Sequence, residues 1–276
     1  MSSAILTPVV IVVVAGFIAA LLLTIASKAF YVKVDERVTQ VRAILPGANC
    51  GGCGYSGCAG YAAAVAHDGA PTNLCKPGGA DVMKKINAIM GTEGGEFIRE
   101  VADVRCNGCE KATKDRFVFT GTKSCAAVEK FYNGKGECRF GCDGYGDCAA
   151  VCSNDAITIA DGVAVVDPAK CGGCGKCVTA CPNHLIFLRK ETSTVALRCS
   201  SKDSGKVTRT VCTNGCIGCK ICEKKCPHGA VIVADNHAVI DYDKCTSCGT
   251  CVSACPRKCL VNITCTHSDK VEQADK

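Results

Sequence analysis

Two stretches of this chain share one spacing of cysteines, C-x2-C-x2-C-x3-C-P: Cys216, Cys219, Cys222, Cys226 and Pro227, then Cys245, Cys248, Cys251, Cys255 and Pro256. Sulfurs so close in sequence cannot readily bridge one another, but they can converge on metal. The chain carries 27 cysteines, an odd number, in 276 residues, with 8 Phe, 6 Tyr and no Trp. So few large apolar side chains make a poor core for this length, and bound metal is expected to supply the missing cohesion. Disulfides would need an oxidising compartment. The net charge of +6 comes without a Lys/Arg block or basic–aromatic alternation, so nucleic acid is not an expected partner.

The cysteines belong to a larger repeat. Cys125, Cys138, Cys142, Cys148, Cys152, Cys171, Cys174, Cys177 and Cys181 recur 74 residues later as Cys199, Cys212, Cys216, Cys222, Cys226, Cys245, Cys248, Cys251 and Cys255. The residues between them match as well. Ala156–Asp167 aligns with Ala230–Asp241, and each reads as two short β-branched strands around a tight turn, Asp161-Gly162 or Asp235-Asn236. The expected unit is a cysteine loop, a short helix, a hairpin, and a second cysteine loop and helix.

The second copy resembles the bacterial ferredoxin signature for two [4Fe–4S] clusters. That resemblance implies that Cys216, Cys219 and Cys222 share a cluster with Cys255, and that Cys245, Cys248 and Cys251 share one with Cys226. Zinc ribbons use paired C-x2-C knuckles and give no reason for a third and fourth cysteine at these offsets. In the first copy the loop Cys171, Cys174, Cys177, Cys181 is complete, and Cys152 is expected to join the first three. The other loop has Tyr145 where the repeat calls for cysteine and Ser153 where it calls for proline. Two readings stay open: Cys138 replaces the missing ligand beside Cys142, Cys148 and Cys181, or that cluster has three thiolates.

Cys50, Cys53, Cys58 and Cys75, set among Gly51, Gly52, Gly54 and Gly57, fit one more cluster, since glycines let the backbone fold tightly around it. Gly52–Gly57 formally matches GxGxxG, but no strand precedes it. Seven cysteines remain: Cys106, Cys109, Cys125, Cys199, Cys212, Cys259 and Cys265. They are either free thiols or ligands of further clusters, Cys106, Cys109, Cys125 and Cys138 forming a sixth and Cys199, Cys212, Cys259 and Cys265 a seventh. The expected complement is therefore at least five [4Fe–4S] clusters, rising to six or seven.

Residues 1–27 contain no charged side chain, and Ala4–Ala26 is an almost unbroken apolar run. It is long enough for a bilayer core of about 30 Å and lacks the basic n-region of a signal peptide. Lys28, Lys33, Arg37 and Arg42 follow it, which places the cysteine-bearing part on the cytoplasmic side of a single-pass membrane protein.

An apolar helix, a C-x2-C-x4-C-x16-C domain and ferredoxin-like repeats, in that order, resemble the B subunit of the Rnf complex. The resemblance implies an electron-relay subunit of a membrane ion-translocating ferredoxin:NAD oxidoreductase, in the cell membrane, with soluble ferredoxin as donor and other membrane and peripheral subunits as partners. The expected fold is α+β. Its parts are an anchor (1–27), a four-cysteine [4Fe–4S] domain (28–100), a connector (101–137), ferredoxin-like modules at 138–198 and 199–265, and a polar tail (266–276). The alternatives are a relay in another membrane redox complex and a membrane-tethered zinc- or cluster-binding module. No nucleophile–base pair, P-loop or metal-spaced histidine is present, so the chain has no catalytic pocket of its own. Hydride chemistry with NAD would fall to a flavin-bearing partner. Lys220, Lys224, Lys225, Lys244, Arg257 and Lys258 flank the second repeat's loops and suggest a basic rim for an acidic partner.

Overall fold

The structure is a computed structural model that describes residues 2–29, 35–93 and 95–263, with side chains from residue 12 onward. Helix α1 (Ser2–Ala29) has only Lys28 as a basic residue in its last turn, and from Val12 to Leu23 its large apolar side chains are exposed. Its described side chains cover residues 12–28, and among the described residues no helix is long and apolar enough to cross a membrane.

Three helices follow: α2 (Glu36–Ile44), α3 (Cys58–His67) and α4 (Gly79–Met90). Asp35 caps α2 by accepting a 2.9 Å bond from the Arg37 amide, and Gly91 ends α4 in the left-handed conformation with φ 65°. Their apolar faces meet around Val41, Tyr61, Val65 and Ile86, all fully buried. The Tyr61 hydroxyl donates to the Pro71 carbonyl at 2.7 Å, so this buried phenol is satisfied, and burial pushes it up to about 12.

Next come β1 (Glu100–Val104), α5 (Cys125–Tyr132), α6 (Asp147–Ala150), the hairpin β2 (Ile157–Ala160) and β3 (Val163–Val166), α7 (Lys176–Ala180) and β4 (Ile186–Lys190). The remainder holds β5 (Val195–Leu197), α8 (Gly205–Val211), α9 (Ile221–Lys225), the hairpin β6 (Val231–Ala234) and β7 (His237–Ile240), α10 (Thr250–Ala254) and β8 (Leu260–Asn262). Both hairpins turn through two left-handed residues, Asp161 (φ 48°) and Gly162 (φ 77°), and Asp235 (φ 47°) and Asn236 (φ 62°), as type I′ turns require.

Each ferredoxin-like module is closed by an antiparallel pair of its first and last strands, β1 with β4 and β5 with β8. The boundaries therefore differ from those expected. Residues 100–104, divided between the first domain and the connector, complete the sheet of module 1. Val195–Leu197, placed at the end of module 1, belong to module 2. Strands of three to five residues with distant partners leave little local periodicity to read. The segment between β1 and α6, which contains α5, is an excursion from module 1.

The modules dock through a buried ion pair. Arg198 lies 2.8 Å from Asp103, with side chains 12% and 4% exposed, and also donates to the Val104 carbonyl at 2.8 Å. Phe187 stacks on Tyr242 with centroids 5.9 Å apart, and the Arg105 guanidinium sits 4.1 Å over Phe187. The helical domain meets module 1 through Lys76 and Glu100, 3.2 Å apart. There Gly52 approaches so closely that a Cβ would come 2.9 Å from the Cys174 carbonyl oxygen.

Candidate metal centres

The two cysteine loops of module 2 fold toward each other. Cys216, Cys219, Cys222 and Cys255, with Cys259 beside them, line one cavity, and Cys226, Cys245, Cys248 and Cys251 line another. Each takes three sulfurs from one loop and the pre-proline sulfur from the other. In module 1, Cys177 interacts electrostatically with Cys171, Cys174 and Cys152, the corresponding set. In the helical domain, Cys75 does so with Cys50, Cys53 and Cys58.

The loops wrap their sulfurs by aiming backbone N–H groups at them. Ala102 donates to Cys171 Sγ (3.3 Å), Ala156 to Cys152 (3.4 Å), Leu185 to Cys181 (3.4 Å) and Ala230 to Cys226 (3.3 Å). Such bonds favour thiolates and tune whatever metal they bind. The tight curvature needs left-handed residues. Gly144 (φ 70°) and its counterpart Gly218 (φ 64°) also sit against the hairpin turns, where a Cβ would come 2.5 Å from Gly162 O and 2.8 Å from Asn236 O.

The remaining set in module 1 is a correction. Cys142, Cys148 and Cys181 line a cavity whose fourth sulfur is Cys125, not Cys138. The N-terminus of α5 is clamped to the start of α6 by Asp147, which accepts from the Cys125 amide (3.0 Å), the Ala126 amide (3.0 Å) and the Ser124 hydroxyl (2.9 Å). This clamp brings Cys125 into the cavity beside Cys142, Cys148 and Cys181, where the repeat would have put a cysteine at Tyr145. The Tyr145 ring instead packs on Phe119, with centroids 6.0 Å apart. Asp147 is the functional residue that spacing could not reveal.

The sixth grouping expected from the sequence does not come together as one set, and the seventh includes Cys265, which lies outside the described residues. Cys125 has left the first for the cavity just described. Cys138 lies with Cys199 and Cys212, Cys106 lies beside Cys138 and Cys142, and Cys109 lies beside Cys212. Cys265 is outside the described residues. Cys259 is 1% exposed, and its thiol donates to the Asn214 carbonyl at 3.2 Å. Leu185 occupies the same place in module 1. Each residue's carbonyl accepts from the backbone N–H of an arginine that follows the module's first strand, Arg105 (2.8 Å) or Arg198 (2.7 Å). Cys259→Leu is therefore expected to leave the iron content unchanged; loss of about four irons per chain would show that Cys259 is a ligand.

The donor set fits iron–sulfur cubanes. Burial, reinforced by neighbouring sulfurs, pushes Cys148 up to about 12 and Cys177, Cys222 and Cys251 up to about 11. Four such thiols can be thiolates together only around a cation. Among the described residues, no group of three or more His, Cys, Asp or Glu side chains could hold a single metal ion. A cubane spreads its four thiolates over four irons, so its ligands stand farther apart than those of one ion.

Comparison with known proteins agrees with this geometry. A family model described as "Putative Fe-S cluster" matches residues 45–77, and two described as "4Fe-4S dicluster domain" match residues 170–230 and 215–260. The chain is 45% identical over 94% of its length to the B subunit of the Na(+)-translocating ferredoxin:NAD(+) oxidoreductase complex of Acetobacterium woodii, covering 78% of that protein. It is 40% identical, again over 94%, to the B subunit of the ion-translocating oxidoreductase complex of Methanosarcina acetivorans, covering 99% of it. The chain belongs to the family of B subunits of the Rnf-type ion-translocating oxidoreductases. A further member, the B subunit of the proton-translocating ferredoxin:NAD(+) oxidoreductase complex of Clostridium ljungdahlii, is 38% identical over 90% of the chain and is covered over 88% of its own length. In this Rnf-type chain, the match at 170–230 runs across both modules because the Cys171 and Cys216 loops look alike in sequence. In space, Cys171, Cys174 and Cys177 close on Cys152 within module 1.

Proposed function

We propose that the chain is the electron-relay subunit of a membrane-bound, ion-translocating ferredoxin:NAD oxidoreductase. The observation that carries this reading is the set of three cavities, each lined by at least four cysteines that distant stretches of the chain bring together. Bound [4Fe–4S] clusters would supply one-electron redox chemistry at these places and at the two further sets. The chain's own residues hold the clusters, shield them from water and set them near one another. Cys50, Cys53, Cys58 and Cys75 hold the N-terminal one. Cys152 serves with Cys171, Cys174 and Cys177, and Cys125 with Cys142, Cys148 and Cys181. Module 2 holds its two by Cys216, Cys219, Cys222 and Cys255, and by Cys226, Cys245, Cys248 and Cys251.

Helix α1 is the membrane anchor in this reading. What supports the anchor is the uncharged apolar run Ala4–Ala26 of the sequence, together with the exposure of Val12, Phe17 and Leu23 on this helix. The positive residues after it place the cysteine-bearing part on the cytoplasmic side.

Module 2 is where ferredoxin docks. Cys219 and Cys248 are the exposed cysteines among the described residues. Lys220, Lys224, Lys225, Lys244 and Lys258 are exposed around them. Arg257 faces inward, donating to the Cys212 carbonyl at 2.8 Å, and leaves the expected rim. Anaerobically purified protein is expected to be brown, to contain iron and sulfide, and to bleach when reduced ferredoxin is added, at a rate that falls as salt rises. Zinc in place of iron would end the relay reading. A rate indifferent to salt would end the docking assignment alone.

A further inference from the structure

Two glycines lie where the helical domain touches module 1, and neither is there for its backbone. Gly52 and Gly172 both sit outside the left-handed region, so other residues could take their conformations. What they lack is room for a side chain. A Cβ on Gly52 would come 2.9 Å from the Cys174 carbonyl oxygen, and one on Gly172 would come 2.9 Å from Asn154 Nδ2 and 3.8 Å from Pro77. Gly52 lies between Cys50 and Cys53, Pro77 follows Cys75 by two residues, and Gly172 lies between Cys171 and Cys174. The surfaces that meet are thus the cysteine loops themselves, and Cys50 and Cys174 line one groove.

Module 2 supplies the comparison. At the place of Gly172 its loop carries Thr246, next to Cys248, which is exposed where Cys174 is half-buried. The loop therefore accepts a branched side chain at that position and needs no glycine there to turn. The glycine of module 1 matches the domain that packs against it.

The two loops are held more firmly than the gap between them. On one side the Gly54 amide donates to the Gly51 carbonyl at 2.9 Å. On the other the Cys171 amide donates to the Asp167 carbonyl at 3.1 Å, and the Ala102 amide to the Cys171 sulfur at 3.3 Å. Across the gap, Lys76 and Glu100 pair at 3.2 Å through two long, partly exposed side chains, and such a pair does little to fix a distance. A methyl group added at Gly52 would part the loops and leave each loop intact.

We propose that Gly52 is a positioning residue of the electron relay: by admitting the Cys174 carbonyl it sets the gap that an electron crosses between the cysteine set containing Cys50 and the set containing Cys174. Gly172 acts in the same way against Pro77. Tunnelling falls exponentially with distance, whereas each set binds its cluster through its own four sulfurs, so transfer and cluster content are separable by mutation. The inference rests on the relay reading and names the residues that bring two of its centres within reach.

The test compares the anaerobically purified full-length chain with its Gly52→Ala and Gly172→Thr variants. Iron and sulfide should be unchanged in both. Electron paramagnetic resonance of the fully reduced wild type should show the centre at Cys50 broadened by spin–spin interaction with its neighbour, a contribution recognised as the one lost in Cys53→Ala. That interaction falls with the cube of the separation and should weaken in both variants. After mixing with reduced ferredoxin and freezing at intervals, the centre at Cys50 should be reduced about tenfold more slowly in each variant, while the signals of module 2 rise at the wild-type rate. Unchanged interaction and rate with full iron would overturn the positioning role and leave the relay reading standing. Equal slowing at every centre would place the effect in ferredoxin docking and would overturn it too. If Gly52→Ala sheds about four irons, Gly172→Thr, whose side chain module 2 already accommodates, decides alone. Absence of iron and sulfide from the wild type would remove the relay reading and the inference together.

Discussion

Cys125→Ala is expected to strip about four irons and four sulfides from the protein, and adding Tyr145→Cys to the same chain is expected to return them. The first half follows from the cavity in module 1, where Cys125 is the fourth sulfur beside Cys142, Cys148 and Cys181. The second follows from the repeat, because Tyr145 stands where module 2 has Cys219. The loop backbone needed at that place already exists, since Gly144 takes the same left-handed turn as Gly218. Removing the Tyr145 ring gives up its contacts with Phe119 and the Lys135 ammonium, both at the surface of the excursion, so recovery should be nearly complete rather than total. Iron and sulfide analysis with visible absorbance would check it. Unchanged iron in Cys125→Ala would return Cys138 to this set.

Arg198→Met should be the most damaging change that touches no cysteine. It leaves the Asp103 carboxylate, 3% exposed as a residue, without its cation, and Asp103 Oδ2 already has no hydrogen-bond partner among the described residues. Breaking a buried pair from one side costs about 3–5 kcal/mol. Cluster-bearing proteins unfold irreversibly, so the readout is a rate: anaerobic bleaching in guanidinium should speed up by as much as two to three orders of magnitude. Replacing both partners, Asp103→Leu with Arg198→Met, should recover most of the loss, because a well-packed apolar pair at such a site is often neutral. A bleaching rate within tenfold of wild type for the single variant would mean that the modules are held by other contacts.

Much of this architecture was readable from spacing. The loops, their short helices and both hairpins follow from local signals: close cysteines, Pro after the fourth, and Asp-Gly or Asp-Asn between β-branched runs. The closing strands were not, since β1 and β5 find their partners more than sixty residues away. That gap also explains the misplaced ligand. The 74-residue offset aligns Cys125 with Cys199, yet in space Cys199 corresponds to Cys106, because each follows its module's first strand and arginine. The excursion between β1 and α6 shifts the numbering of one module against the other, and it delivers Cys125 as a substitute for the sulfur Tyr145 cannot provide. A sequence offset preserves order along the chain; it does not preserve which side chains share a cavity.

The pairing of first with last strands has a consequence for how the protein is made. A ribosome releases Glu100–Val104 long before Ile186–Lys190, and Val195–Leu197 long before Leu260–Asn262. Each half of the molecule must therefore wait, open and rich in reactive thiols, until its final strand emerges. Iron delivery is thus best timed late in synthesis, and a cell short of cluster donors would accumulate chains whose two ends have never met.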